Sequence, residues 1–145
     1  MIENLLKKHQ LRNTEIRRKI LDMFLSSAHA ISYSDIEQQL SPEFDRVSVY
    51  RTLKMFEEQR LIHRILNDSG GVNYAICRPE TCHDHEHSQT ANPHLHTHEH
   101  LHFKCEVCKH TFCLEEHNVP KIQLPAGYTL NNCQILVSGT CPKCG

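Results

Sequence analysis

The sequence has no long run of apolar residues, no large excess of charge of either sign and no recognisable secretion signal. Without a long apolar run, it offers no candidate for a membrane-spanning helix, and we expect no membrane partner. The formal net charge of −1 gives no overall basic signal for nucleic acid. Residues 1–8 lack the apolar core and cleavage site of a signal peptide, so we expect a cytoplasmic protein with reduced thiols.

The basic residues are unevenly distributed along the sequence. Residues 1–20 hold six Lys and Arg residues against two Glu, which makes this end of the chain locally basic. A length of 145 residues suits one domain or two small ones. Two small domains would each have a thin core, and thin cores are often stabilised by a structural metal or by dimerisation.

Four of the eight cysteines form two Cys-x2-Cys pairs that are far apart in the chain. The first pair is Cys105 and Cys108, and the second is Cys141 and Cys144. In a reducing compartment such pairs are typical of metal ligands rather than disulfides. This spacing predicts a tetrahedral, four-cysteine structural zinc site.

Histidines occupy alternate positions immediately before the first cysteine pair. A strand would place His98, His100 and His102 on one face, where they could converge on one ion, whereas a helix would spread them apart. The same residues also match His-Glu-x-x-His, a zinc-hydrolase motif that needs a helix and in which Glu99 would be the general base. Because Cys105 follows so closely, we favour the strand.

In the first half of the sequence, hydrophobic spacing and helix-capping residues predict a short amino-terminal helix and three further helices. The last of these spans roughly Val47 to Gln59. Two strands follow, Leu61–Leu66 and Val72–Ile76, joined by a turn at residues 67–71. This order predicts a winged helix-turn-helix. The exposed face of the last helix would present Tyr50, Arg51 and Lys54 to DNA, although a solvated polar face has the same pattern.

The segment Ser48-Val49-Tyr50-Arg51-Thr52-Leu53 resembles the T-V-Y-R-x-L recognition helix of the ferric uptake regulator superfamily. Thr14-x-x-Arg17, the Gly-Gly turn and the His-x-His-x2-Cys-x2-Cys segment occur in that superfamily's order. The resemblance implies that Tyr50 and Arg51 contact DNA, with Arg12 placed near a minor groove. Arg17 and Lys54 complete the predicted DNA-binding set.

The expected fold class is α+β, with an amino-terminal winged helix-turn-helix domain and a small carboxy-terminal α/β dimerisation domain that carries the four-cysteine zinc site. We predict domains at residues 1–79 and 98–145, joined by a His-rich hinge or insertion at 80–97. Three strands are predicted in the second domain: His100–Lys104, Thr111–Leu114 and Cys133–Ser138. Relatives carry a helix between the second and third strands, but Pro120 and Pro125 predict that it is short or absent here.

Within the superfamily, the chain is most similar to the zinc uptake regulator branch, which implies a regulatory metal site. The ligands this implies are His63, Cys77, His100 and His102. Three imidazoles and one thiolate suit zinc better than iron, with iron or manganese as alternatives. A different site could use His29, His98, Glu99, Cys113 and His117. Otherwise Cys82, Cys113 and Cys133 are predicted to be inert thiols.

The resulting hypothesis is a metal-responsive repressor that binds palindromic operator DNA as a homodimer when its regulatory site holds zinc. An iron- or peroxide-responsive regulator of the same superfamily is one alternative. Two alternatives belong to other classes: a zinc-storage protein that uses the histidine segment, and a zinc hydrolase. A storage protein would not need Tyr50 and Arg51.

Overall fold

The computed structural model describes residues 1–78, 100–114, 120, 122–130 and 133–145. The chain divides into two compact units, Met1–Cys77 and Arg78–Gly145. The predicted hinge at residues 80–97 lies outside the described residues. In the described parts of the chain, no helix is both long and apolar enough to cross a membrane.

The first unit contains four helices and a small antiparallel sheet. Five elements precede the final β-hairpin, in the order helix, helix, short strand, helix, helix. Their bounds are α1 Ile2–Lys8, α2 Glu15–Ser26, β1 Ile31–Ser32, α3 Tyr33–Leu40, α4 Arg46–Glu58, β2 Ile62–Leu66 and β3 Val72–Ile76.

The ends of the helices follow from local chemistry. Ser32 caps α3 by accepting a hydrogen bond from the backbone N–H of Asp35, as a capping-box pattern predicts. Asp45 caps α4 in the same way through the N–H of Ser48, so that helix starts at Arg46, one residue before the predicted start. Helix α3 ends at Leu40, immediately before Ser41 and Pro42.

The sheet of the first unit has the strand order β1-β3-β2. Strands β2 and β3 pair in the register His63↔Ala75, and Gly70 in their turn has a φ of 82°, which glycine adopts without strain. Strand β1 pairs through Ile31↔Tyr74 and was not predicted. Two residues are too few to show a hydrophobic period, so only tertiary pairing defines this strand.

One hydrophobic core connects the helices to the sheet of the first unit. Helix α4 contributes its buried stripe, and α2 and α3 contribute theirs at helical spacing. Burying these side chains leaves the opposite face of α4 to solvent. The buried cluster comprises Leu6, Ile20, Leu21, Phe24, Ile31, Ile36, Leu40, Val49, Leu53, Phe56, Leu61, Ile62 and Tyr74.

The second unit contains a three-stranded sheet of order β5-β4-β6. Its strands are β4 Leu101–Cys105, β5 Thr111–Leu114 and β6 Leu136–Gly139. Strands β4 and β5 are antiparallel, whereas β4 and β6 are parallel. We predicted that the third strand begins at Cys133. It begins at Leu136, which pairs with His102 close to the start of β4, and the carbonyl of the preceding Ile135 accepts a hydrogen bond from the His102 amide.

The segment between β5 and β6 is described at 120, 122–130 and 133–135, and it has no helix at those residues. A turn occupies residues 126–127, where Gly127 has a φ of 90°. The predicted interruption of the helix by Pro120 and Pro125 agrees with this part of the segment.

Candidate metal centres and nucleic-acid interface

The strand order of the second unit brings the two cysteine pairs together. Cys105 ends β4, and its register partner Gly139 ends β6. Because these strands are parallel, the chain leaves both at the same edge, and Cys141 follows β6 by two residues. Gly139 lies against Phe103, whose ring atoms would be 3.4 Å from an added Cβ. The tight approach of β6 to β4 therefore positions one cysteine pair beside the other.

The four sulfur atoms match the donor geometry of zinc. All four Sγ atoms lie within 4.8 Å of one another, and those of Cys108 and Cys141 are 3.9 Å apart. A tetrahedron with zinc–sulfur bonds of about 2.3 Å has edges of about 3.8 Å. A disulfide would instead need a sulfur–sulfur distance near ~2.05 Å. The four residues therefore fit a structural zinc ion.

The backbone around the cysteines favours a thiolate. The amide N–H of Cys141 donates to the Sγ of Cys105 at 3.4 Å. Hydrogen bonds from the amides of Cys141 and Cys108 lower the pKa of Cys105 to about 6. By contrast, the neighbouring thiol of Cys141, followed by burial, raises the pKa of Cys144 to about 12. The cluster thus already contains one sulfur prepared to lose its proton and bind a cation.

The hairpin of the first unit places His63 beside Cys77. The amide of Cys77 donates to the carbonyl of Leu61, so Cys77 extends the hairpin opposite Leu61. Residues two apart on a strand share a face, which puts His63 diagonally across from Cys77. The Sγ of Cys77 lies 3.5 Å from Nδ1 of His63, and His63 is buried. The first unit therefore offers one imidazole and one thiol side by side.

Strands β4 and β5 gather three further donors within the second unit. His100 and His102 are two residues apart and both are buried, and Cys113 is the register partner of His102. The ligand atoms of His100, His102 and Cys113 lie within 4.8 Å of one another. The imidazole rings have centroids 4.6 Å apart and are inclined at 73°. Two imidazoles and a thiol form a donor set that zinc accepts.

Cys113 was predicted to be either an inert thiol or part of an extra site. Its position beside the two histidines depends on the register His102↔Cys113, which a single sequence does not reveal. Once that pairing is known, Cys113 joins His100 and His102 on the same face of the sheet.

The face of α4 opposite the core carries Val47, Tyr50, Arg51 and Lys54, all exposed. Their spacing of three, four and seven residues places them on one side of the helix. Arg46, at the start of α4, forms an ion pair with Glu37 at 2.6 Å. The exposed stripe is therefore cationic toward its middle and apolar at its amino-terminal end.

Asp45 fixes the beginning of that helix. Its carboxylate accepts hydrogen bonds from the Ser48 hydroxyl at 2.7 Å and the Ser48 amide at 2.9 Å. These bonds lower the pKa of Asp45 below its ordinary value of 3.8. The carboxylate therefore stays ionised at neutral pH and is committed to the helix cap.

Two of the basic residues predicted to bind DNA differ in their surroundings. Arg12 is exposed in the loop before α2, whereas Arg17 is half-buried. Arg17 donates to the carbonyl of Arg12 at 2.8 Å and to the sulfur of Met55 at 2.8 Å. Arg17 thus connects the Arg12 loop to α4 through its own side chain.

The remaining predicted ligands are not part of these groups. His98, Glu99 and His117 lie outside the described residues, as does Cys82, which is predicted to be an inert thiol. His29 lies in the first unit, where its Nδ1 is 2.9 Å from the carbonyl of Ala30. The hydrolase motif required a helix, but the chain is a strand from Leu101 onward, so His102 is not presented on a helix.

Comparison with solved structures identifies the fold. A zinc uptake regulator complexed with zinc and DNA is 20% identical, covers 98% of this chain and 89% of its own, and has a TM-score of 0.63. A zinc-bound manganese uptake regulator is 18% identical, with coverage of 97% and 98% and a TM-score of 0.58. A ferric uptake regulator from Pseudomonas aeruginosa with manganese is 19% identical, with coverage of 99% and 99% and a TM-score of 0.57.

Sequence comparison supplies the family. No curated protein matches the chain significantly. The model of the ferric uptake regulator family matches residues 8–94, which is more than half of the 145 residues. Members of that family regulate transcription in response to metals and are not enzymes. The chain therefore belongs to the ferric uptake regulator family of metal-responsive transcription regulators.

Proposed function

We propose that this regulator is a zinc-responsive repressor that binds palindromic operator DNA as a homodimer. The observation that carries the proposal is the composition of the buried donor groups. His63 lies beside Cys77 in the first unit, and His100 and His102 lie with Cys113 in the second. Among the described residues, these groups contain only imidazole and thiol donors and no carboxylate.

Ligand chemistry favours zinc for the regulatory site. Imidazole nitrogen and thiolate sulfur suit zinc, whereas oxygen-rich sets suit manganese. We assign His63, Cys77, His100 and His102 as ligands, with Cys113 as a further candidate. Zinc carries out no redox chemistry, and when bound it would hold its ligands in one fixed arrangement. A solved zinc uptake regulator with zinc and DNA shares the fold, which supports this choice.

The first unit is proposed to be the DNA-binding domain. Its helices followed by the β2–β3 hairpin have the order of a winged helix, in which the last helix enters the major groove. The exposed stripe on α4 places Arg51 and Tyr50 near its amino-terminal end. Arg can donate two hydrogen bonds to guanine, and Lys54 and Arg12 would neutralise phosphates.

The second unit is proposed to hold two copies together. Its described residues expose several large apolar side chains that a monomer would leave in water. These are Val107, Ile122, Leu124, Tyr128, Leu130 and Val137. In a homodimer, two DNA-binding domains match two half-sites of a palindrome.

Metal binding and DNA binding would be coupled because the proposed ligands lie in both units. Two come from the unit that contains α4, and two come from the unit proposed to dimerise. Ligation of one ion by residues of both units would therefore restrict the DNA-binding domains within the dimer. By linkage, an effector that favours the DNA-binding arrangement must itself bind more tightly when DNA is present.

Selection from a random-sequence DNA library tests this proposal. The zinc-loaded protein should enrich a palindromic duplex, and addition of a zinc chelator should weaken binding to that duplex by roughly 5- to 150-fold. Fluorescence anisotropy with buffered zinc, iron or manganese would measure the effect of each metal. Enrichment of no duplex, or equal affinity with and without metal, would overturn the proposal.

Substitutions on α4 should separate base contact from phosphate contact. On the selected duplex, Arg51→Ala should lose about 1–3 kcal/mol of binding free energy and tolerate changes at one base pair. Lys54→Ala should weaken binding to all sequences alike and reduce the slope of log K against log salt by about 1. Salt titrations of both variants would make the comparison. Identical salt slopes and identical sequence preferences would contradict these roles.

A further inference from the structure

Val47 is an exposed apolar residue in the first turn of α4, and the DNA-binding residues considered so far do not explain it. Its side chain is 55% exposed, and that of Tyr50, one turn later, is 54% exposed. A single exposed valine needs no explanation, but two neighbouring apolar side chains on one face form a small patch. Val47 is β-branched and stabilises a helix less than alanine would, so helix formation does not account for it.

The positive charge around the patch favours an anionic partner. Arg51 and Lys54 continue the same stripe, and both are exposed. Two carboxylates at the amino-terminal end of α4 are already engaged, since Asp45 binds Ser48 and Glu37 binds Arg46. A surface that is apolar at the helix start and cationic beyond it suits duplex DNA, whose phosphates flank a groove with apolar features.

In the major groove, an aliphatic side chain has one apolar feature to contact. Valine neither donates nor accepts hydrogen bonds, so it cannot distinguish the donor and acceptor patterns of the bases. The C5 methyl group of thymine is the apolar group that base pairs present there. Residues at the amino-terminal end of a recognition helix are the ones that approach base edges, and Val47 is the second residue of α4.

We propose that Val47 is a specificity-determining residue that contacts a thymine methyl group in each half-site. This inference rests on the proposed function, because it requires α4 to enter the major groove. Val47 lies one helical turn before Arg51 in α4, so it would add a preference for thymine close to the base pair that Arg51 contacts. Tyr50, on the same side of the helix, would cover the neighbouring part of the same apolar surface.

Replacing thymine with deoxyuridine provides the test, because it removes only the C5 methyl group. Each thymine of the duplex selected by the wild-type protein is replaced in turn, and binding is measured by fluorescence anisotropy. At one thymine per half-site, the wild-type protein should lose affinity by about fourfold, as expected for burying one methyl group. Val47→Ala should weaken binding to the thymine duplex by a similar factor.

The combination of both changes decides between contact and indirect effects. On the deoxyuridine duplex, Val47→Ala should bind within about twofold of the wild-type protein, because the contact is already absent. Leu66→Ala is the matched control, since Leu66 is an exposed aliphatic residue of the first unit outside α4, at 51% exposure, and it should leave the deoxyuridine effect unchanged. A deoxyuridine effect that Val47→Ala retains in full at every thymine would overturn the assignment. Failure of the wild-type protein to select any duplex would overturn the proposed DNA binding, and this inference with it.

Discussion

Replacing Cys141 with serine should remove the structural zinc and unfold much of the second unit. Cys141 donates its amide N–H to the Sγ of Cys105 and places its own sulfur 3.9 Å from that of Cys108. Structural zinc sites contribute roughly 10–16 kcal/mol of apparent binding free energy in small zinc-binding peptides, and that energy supports folding. Serine keeps the shape of the side chain but is a poor zinc ligand.

The effect should be large because this unit has a small core. In its described residues, the buried apolar side chains are those of Cys105 and Cys141, which are themselves proposed zinc ligands. Each kcal/mol lost lowers the Tm of a unit of this size by about 4–8 °C. We therefore expect the transition of the second unit to fall by roughly 20 °C or more, and zinc content to fall by one ion per chain.

Metal analysis and differential scanning calorimetry would measure both quantities. Cys133→Ser is the matched control, because Cys133 is a half-buried free cysteine that belongs to neither donor group. It should retain zinc and the wild-type Tm. Prolonged chelation of the wild-type protein should reproduce the Cys141→Ser behaviour. A Cys141→Ser protein with full zinc content and an unchanged Tm would contradict the structural role of the cluster.

Combining Cys77→Ala with His102→Ala should abolish the response of DNA binding to zinc. Cys77→Ala removes a proposed ligand from the first unit and His102→Ala removes one from the second, so the remaining His63 and His100 would bind zinc weakly. The double variant should bind the selected duplex with the same affinity in buffered zinc and in chelator. The wild-type protein should instead bind roughly 5- to 150-fold more tightly in zinc. The structural zinc should remain, because neither residue belongs to the four-cysteine cluster.

Controls distinguish loss of the site from loss of the fold. The pair Cys133→Ala with His110→Ala also removes one thiol and one imidazole, and it should keep the zinc response. Calorimetry should show that the double ligand variant retains both folded units. If its affinity for DNA still rises with zinc as in the wild-type protein, then these residues do not form the regulatory site.

Cobalt substitution would determine which thiols bind the regulatory metal. Cobalt(II) adopts zinc-like sites and absorbs more strongly in the near ultraviolet with each thiolate ligand. Removal of Cys77 should lower that absorption per regulatory ion, and removal of Cys113 should lower it further if its sulfur is also a ligand. Unchanged absorption in the Cys113→Ala protein would leave Cys77 as the thiolate in the set.

The helices and the hairpin were largely predictable from the sequence because their signals are local. Hydrophobic spacing of three and four residues defines α2, α3 and α4, and Ser32 marks the start of α3 by its own chemistry. The hairpin strand Val72–Ile76 matches its predicted bounds, and β2 begins at Ile62, one residue inside its predicted start. Strand β1 escaped prediction because its two residues carry no period.

The four-cysteine cluster was predictable for a different reason. Zinc imposes a fixed donor number and a short ligand spacing. Two Cys-x2-Cys pairs therefore predict a four-cysteine zinc site even when 32 residues separate them. The structure adds how they meet, through parallel pairing of β4 with β6. The later start of β6 followed from that pairing and not from the β-propensity of residues 133–138.

By itself, the sequence determined the two Cys-x2-Cys pairs, the stripe of α4 that faces away from the core, and the family resemblance. These depend on residue type and on short spacings, which are fixed along the chain. Only the tertiary structure placed Cys113 opposite His102, engaged Arg17 with Met55, and left Val47 exposed beside Tyr50. Strand register and side-chain burial depend on contacts between distant residues, and no local pattern encodes them.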